Sequence, residues 1–229
     1  MAKVKFTAVV ADMRNKLNGT VFSKNRGGSY TRTKVTPVNR QSSFQSVVRN
    51  RLGSFAQGFR GLSVSQIAAW NAAVDSFKST DIFGDIKTPS GINLYVKLNT
   101  NLARASASSI SIPPLPIAVT PLTALSAVAD ASDQDIDVTF APTPVPAGFR
   151  LVISMTKQKS PGQSFFGGQY VDIASVAAAG TSPVNITTAY TNRFGALVAG
   201  QKIGVKAQLI STTTGQAGIP LTTEIIVQA

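Results

Sequence analysis

From Asp135 to Thr156 the chain reads DIDVTFAPTPVPAGFRLVISMT. Ile136, Val138 and Phe140 take every second position, with Asp135, Asp137 and Thr139 between them. That is the period of a strand with one face buried and one in water. Pro142, Pro144 and Pro146 then interrupt the run, because proline has no amide to give to a ladder. Gly148 closes the turn, and FRLVISMT begins a second apolar strand. Two short strands joined by a proline-rich turn are the element of an antiparallel all-β fold.

Working outward, the pattern repeats. Strand candidates lie at 122–129, 135–140, 149–156, 170–176, 183–190, 202–210 and 223–228. Turn signals such as KSPGQSFFGG, AAGTSP and TTTGQAGIP separate them. Short strands at regular spacing predict an antiparallel β-sandwich over residues 118–229. Asp133, Asp135 and Asp137 alternate along one of these strands and read as its solvent face.

The first half is built differently. TVFSK and SYTRTKV flank Asn25-Arg26-Gly27-Gly28 and read as a β-hairpin, and Asn18-Gly19 suits a tight turn. Ser42-x-x-Gln45 and Ser63-x-x-Gln66 have the spacing of capping boxes, in which the serine accepts from a free amide and the glutamine reaches back. The first helix sets Phe44, Val48, Phe55 and Phe59 on one stripe with Leu52 beside it. The second sets Ile67, Trp70, Val74 and Phe77 on another, and a third helix runs from Ser90-Gly91 through Tyr95, Leu98 and Leu102. All three stripes read as core. Fold class is therefore an α+β N-terminal domain, a hairpin with about three helices, followed by an all-β sandwich, which the resemblance given below makes immunoglobulin/fibronectin III-like. The domains run 1–112 and 118–229, joined by a proline-rich linker at 113–117.

Charge separates the halves as sharply. The 229 residues carry a net +12. Residues 1–112 hold sixteen Lys and Arg against four Asp, whereas residues 113–229 hold six of each sign. An asymmetry of this kind marks one half as facing a polyanion or an acidic partner. Lys24, Arg26, Arg32, Lys34 and Arg40 crowd into Gly19–Gln41 without one acid. With Tyr30 they form the candidate partner-binding set. On the second strand of the hairpin Tyr30, Arg32 and Lys34 share a face. No proline blocks the hairpin before Pro37, so its edge is expected to be open to cross-subunit pairing.

Composition excludes much chemistry. There is no histidine and no cysteine, hence no imidazole base, no thiolate, no disulfide and no Ser-His-Asp triad. No acid–base constellation emerges, so no enzymatic activity, cofactor, metal or small-molecule substrate is expected. Asn25-Arg26-Gly27-Gly28 lacks the spacing and terminal Lys-Ser/Thr of a phosphate-binding loop. The helices around GFRGLS resemble a helix-turn-helix in outline. The reading helix would then have no basic residue before Lys78, which argues against sequence-specific DNA recognition. Hydrophobic content of 43% excludes a disordered chain. No apolar run reaches membrane-spanning length, and Asp12, Met13 and Arg14 stand where a signal-peptide cleavage site would lie.

Two resemblances follow from these residues. IDVTFAPTPVPAGFRLVISM resembles the B-to-C passage of fibronectin type III domains, with Phe140 at the usual tryptophan position. LVAGQKIGVKAQLISTTTGQAGIP resembles their E–F corner and F–G hairpin, with Ile203 at the corner tyrosine. The string GTVFSKNRGGSYTRTKVTPVNRQ, continuing through WNAA and GINLYVKLN, resembles a module of tailed-phage virion proteins over about residues 15–102. The second resemblance implies a virion structural protein, located in the particle. Its basic half would be anchored to other virion proteins or to itself in an oligomer, with the sandwich projecting as a capsid-associated, neck or tail decoration. Packaged DNA is a possible partner, and a nucleic-acid-binding protein without sequence specificity is the alternative. No membrane partner is implied.

Overall fold

The computed structural model describes every residue except 1, 7–9, 26, 40 and 164. In chain order the strands and helices are β1 (Ala2–Lys3), β2 (Asn15–Leu17), β3 (Thr20–Asn25), β4 (Gly28–Thr33), α1 (Ser43–Arg60), α2 (Val64–Ala73), β5 (Ser79–Thr80), β6 (Ile86–Lys87), α3 (Gly91–Arg104), β7 (Ala124–Asp130), β8 (Asp135–Ala141), β9 (Phe149–Met155), β10 (Val171–Val176), β11 (Val184–Asn185), α4 (Thr187–Phe194), β12 (Lys202–Ser211) and β13 (Leu221–Ile226). The fold is thus mixed α/β with antiparallel sheets. Two compact units divide it: Met1–Arg49 with Ser79–Lys87, and Asn50–Lys78 with Thr88–Ala229. The boundary expected at 112–118 is not where this division falls.

In the larger unit one sheet has the order β10-β9-β12-β13 and the other β11-β8-β7. Ile136, Val138 and Phe140 of β8 point into a core shared with Leu151, Ile153 and Met155 of β9 and Ile203, Val205 and Leu209 of β12. Two sheets packed face to face on one core make the sandwich predicted from the alternation. In addition, β9 and β12 are buried on their other face. Val152 and Ile210 pack with Ala105, the residue that ends α3. Strands covered on both sides read as continuous apolar runs, and LVISM is one.

Helices α2, α3 and α4, and α1 from Asn50 onward, therefore belong to the sandwich unit. Arg104 grips Asp172 of β10 through Nε at 2.7 Å and a second nitrogen at 2.9 Å, and Asn101 donates to the Gly215 carbonyl at 2.9 Å. The supposed linker is strapped down at both ends. Asn99 brackets Ile110, accepting from its amide at 2.8 Å and donating to its carbonyl at 3.2 Å. The Trp70 indole donates to the Ser111 carbonyl at 2.8 Å. Gln216 accepts from the Ile117 amide and donates to the Leu115 carbonyl, both at 3.1 Å. Proline fixed the linker's local shape, but side chains on either side removed its independence.

The helical core is that predicted, in part. Ser63 and Gln66 form the capping box at α2, and the Ser90 hydroxyl accepts from the Asn93 amide at the start of α3. Trp70 is fully buried, edge-on to Tyr95 at 5.2 Å, and Phe59 tilts against Tyr95 at 5.4 Å. Leu94, Leu98 and Leu102 line the buried face of α3, each contributing about 1.5–3 kcal/mol by leaving water. Gly91 lets α2 and α3 approach, because a Cβ there would stand 2.3 Å from the Asn71 side chain. On α1, however, only Phe55 and Phe59 join the core. Phe44, Val48 and Leu52 are 55%, 66% and 56% exposed, so the expected full-length core stripe stops halfway along the helix.

One strand expectation fails. Residues 183–190, expected as a strand, pair with β8 only at Val184 and Asn185 before turning into α4. The cause is side-chain chemistry from the neighbouring strand. Asp135 accepts from Asn185 and from the Thr187 hydroxyl, whose oxygen in turn accepts from the Ile136 amide at 2.7 Å. The ladder is thereby used up. Tyr190 then falls on the buried face of α4 and donates to the Thr156 carbonyl at 3.1 Å.

The smaller unit has a sheet of order β1-β4-β3-β2 and a two-stranded hairpin, β5-β6. Asn18-Gly19 makes the turn between Leu17 and Thr20 with Asn18 at a φ of 51°, as its sequence suggests.

Candidate functional site

The candidate residues lie on and beside the β3–β4 hairpin, except Arg26 and Arg40, which fall outside the described residues. Register decides what the others share. Tyr30 pairs with Ser23 and Lys3, while Arg32 pairs with Val21, which also pairs with Lys16. Lys3, Lys16, Tyr30 and Arg32 therefore occupy one face of the sheet, and Lys34 continues it, its amide bonded to the Gly19 carbonyl at 2.8 Å. Lys24 pairs with Ser29 and sits on the opposite face with Phe22. The set expected as one group is thus split between two faces by the strand period.

Neither side of the hairpin is wholly open. β1 pairs with β4 at Tyr30 and Thr31, the Val4 amide donates to the Ser29 carbonyl at 3.1 Å, and β2 pairs with β3 from Thr20 to Phe22. This corrects the expectation of a free edge. β1, and β2 from across the Asn18-Gly19 turn, occupy positions where another subunit's strand was expected.

Some of the positive charge is neutralised inside the unit. The loop between β5 and β6 carries Asp81 and Asp85. Lys3 pairs with Asp81 at 2.8 Å, Lys87 with Asp81 at 3.7 Å, and Lys5 with Asp85 at 2.9 Å. Lys3 also donates to the Gly27 carbonyl at 2.7 Å, which ties the hairpin tip to this loop. The Lys3 ammonium, helped by the Phe83 and Asp85 amides, holds the Asp81 carboxyl well below the usual carboxylate range. The same bond raises Lys3, and Lys3 in turn lowers its neighbour Lys87. Lys3, Lys5, Lys24, Asp81, Phe83 and Asp85 border an open cleft of about 290 Å³. The Lys5 ammonium lies 5.3 Å from the centre of the Phe83 ring. Sequence reasoning missed this arrangement, since nothing local links Lys3 to an aspartate 78 positions away.

After these pairings, Lys16, Lys24, Arg32 and Lys34 have no acid within ion-pair distance among the described residues. The smaller unit holds eleven Lys and Arg against three Asp, a net +8, and the larger holds eleven against seven acids, a net +4. The smaller unit is more basic per residue than residues 1–112, while a third of the net charge falls in the larger unit. No group of three or more acids is placed to hold a metal ion among the described residues. No described helix is long and apolar enough to cross a membrane.

No family model and no curated protein matches the chain. Among solved structures, a family 76 glycoside hydrolase from a bovine Bacteroides thetaiotaomicron strain is similar over 48% of this chain and 21% of its own. The identity is 12% and the TM-score 0.35. An Fn3-like protein from Clostridium thermocellum is similar over 49% of this chain and 94% of its own, at 21% identity and a TM-score of 0.30. The chain thus spans about a fifth of the hydrolase it matches, and superpositions this loose carry no argument about activity.

Proposed function

We propose that this chain is a non-enzymatic structural component of a phage particle. Its basic smaller unit anchors it to other proteins of the assembly, and the sandwich projects from that anchor. The observation that carries the reading is the net +8 on the unit Met1–Arg49 with Ser79–Lys87, where Arg32, Lys34 and Lys16 line one face without an acid partner among the described residues. Arginine suits the role because its planar fork grips a carboxylate at two points and fixes geometry as well as affinity. The absence of histidine and cysteine from the sequence agrees with a structural role, and the N-terminal resemblance to virion modules supplies the location.

The finer reading of the sandwich as fibronectin III-like belongs to the same proposal. It is supported by β8 and β9, which carry the resemblance in sequence and lie in opposite sheets, as strands B and C do in immunoglobulin-type sandwiches.

The test is the double variant R32E/K34E. Under this reading it fails to enter particles, while the purified wild-type chain retains duplex DNA only weakly at physiological salt. Phosphate contacts release condensed counterions and give a steep salt dependence. Tight duplex binding that the same variant abolishes, with particle incorporation intact, would overturn the reading in favour of a nucleic-acid-binding protein.

A further inference from the structure

The described residues of the smaller unit form no fully buried core. Among its described residues no apolar side chain is fully buried, and Leu17, Val35, Val38, Ile82 and Ile86 are all largely exposed. A sheet is stable when at least one face is covered by another layer. Here Val4, Val21, Phe22 and Tyr30 are only half-buried, and exposed apolar residues from β2, β6 and the loops lie beside a concentrated positive charge. Such a unit gains its missing layer from a partner, and charge states what that partner carries.

The acids of the chain identify one. Six of the ten are in ion pairs: Asp12, Asp75, Asp81, Asp85, Asp172 and Glu224. The remaining four, Asp130, Asp133, Asp135 and Asp137, lie on the β7–β8 hairpin. None has a Lys or Arg within ion-pair distance among the described residues. Hydrogen bonds from Ser132 and from Thr187 hold Asp130 and Asp135 below the usual carboxylate range, so both stay charged. Spacing agrees as well as sign. Asp135 and Asp137 are two residues apart on β8, and Lys34 follows Arg32 by two residues, one past the end of β4, so extended backbone separates each pair by about 7 Å.

Resting on the reading of the basic unit as an assembly surface, we propose that its partner is a second copy of this chain. The β7–β8 hairpin of one copy lies on the Arg32–Lys34 face of the next. The two surfaces differ, so the contact is heterologous and propagates to a ring if the rotation closes and to a filament if it does not. The overall charge of each chain opposes this only weakly. At physiological ionic strength repulsion is screened beyond about 8 Å, and the facing pairs decide.

Sedimentation of the full chain against concentration tests the proposal, with hydrogen exchange at residues 20–34 as a second readout. Wild-type protein is expected to associate, with those amides becoming protected as it does. R32E/K34E and D133K/D137K, each folded by circular dichroism, are each expected to remain monomeric. Mixing the two restores association, because each then meets a surface of opposite sign. A wild-type chain that stays monomeric, or variants that associate as before, overturns the proposal. Protection by poly-glutamate without self-association would overturn this partner and leave the assembly reading standing. Protection by duplex DNA alone would overturn both.

Discussion

Replacing Asn99 by alanine removes the clamp that ties the segment after α3 back onto the helix. Asn99 is fully buried, and its amide serves both the N–H and the C=O of Ile110. Its third bond, to the Tyr95 carbonyl, matters less, since that carbonyl also serves the helix ladder. An orphaned buried backbone group costs about 1–3 kcal/mol. Ile110 is only half-buried, so the lower part of that range applies to each of its two groups, and the loss is about 2–3 kcal/mol. With a urea slope of about 2 kcal/mol per molar, the midpoint falls by about 1–1.5 M. The chain reports the change itself. Its single tryptophan, Trp70, donates to the carbonyl of Ser111, the very next residue. N99A should therefore red-shift the native emission as well as lower the midpoint. Because α3 and the sandwich belong to one unit, the fluorescence transition should coincide with the far-ultraviolet circular dichroism transition. An unmoved midpoint and emission would refute the clamp. Two separate transitions in the wild type would refute the single unit and restore a boundary near residue 112.

Gly215 has a φ of 71°, and an added Cβ would stand 2.3 Å from the Leu98 carbonyl oxygen. G215A should lower stability by at least about 2 kcal/mol in the same urea assay. For Arg104 and Asp172, a double-mutant cycle should give a coupling of about 1 kcal/mol. That lies at the upper end for exposed pairs, since the contact is bidentate while the Asp172 side chain is 40% exposed. Burial pushes the Asp172 carboxyl up, but Arg104 and Ser154 outweigh it and hold it below the usual range. The contribution is therefore present above that range and lost as pH falls beneath it, which an acid titration of the cycle measures. Burial raises the hydroxyls of Tyr95, Tyr170 and, furthest, Tyr190. The unfolded chain ionises its tyrosines near pH 10, where the folded one does not, so stability falls as pH rises past about 10. Ultraviolet titration of native against urea-unfolded protein should show those three tyrosines ionising late only in the native form.

The sequence by itself determined whatever depends on neighbours a few positions away. The Asn18-Gly19 turn, the β3–β4 hairpin, the Ser63–Gln66 capping box and the strand alternation at Ile136, Val138 and Phe140 are all set by local dihedral preference or by period. Each formed as read. The sign and crowding of the charge were legible for the same reason, being properties of composition.

Only the tertiary structure decided matters that hinge on partners distant in the chain. Residues 186–190 have strand-like composition, yet Asp135 and a buried Tyr190 made them the start of a helix. The apolar stripe of α1 has one period throughout, yet Trp70 and Tyr95 reach only its second half, leaving Phe44 and Val48 exposed. The prolines at 113–116 read as a boundary, whereas Asn99, Trp70 and Gln216 bind that segment to both its neighbours. Lys24 and Arg32 are close in sequence but stand on opposite faces. Lys3 and Asp81 are 78 residues apart and share a hydrogen bond. Period and propensity state which way a side chain can point, but burial and ion pairing require a second surface, and the sequence does not say which segment brings it.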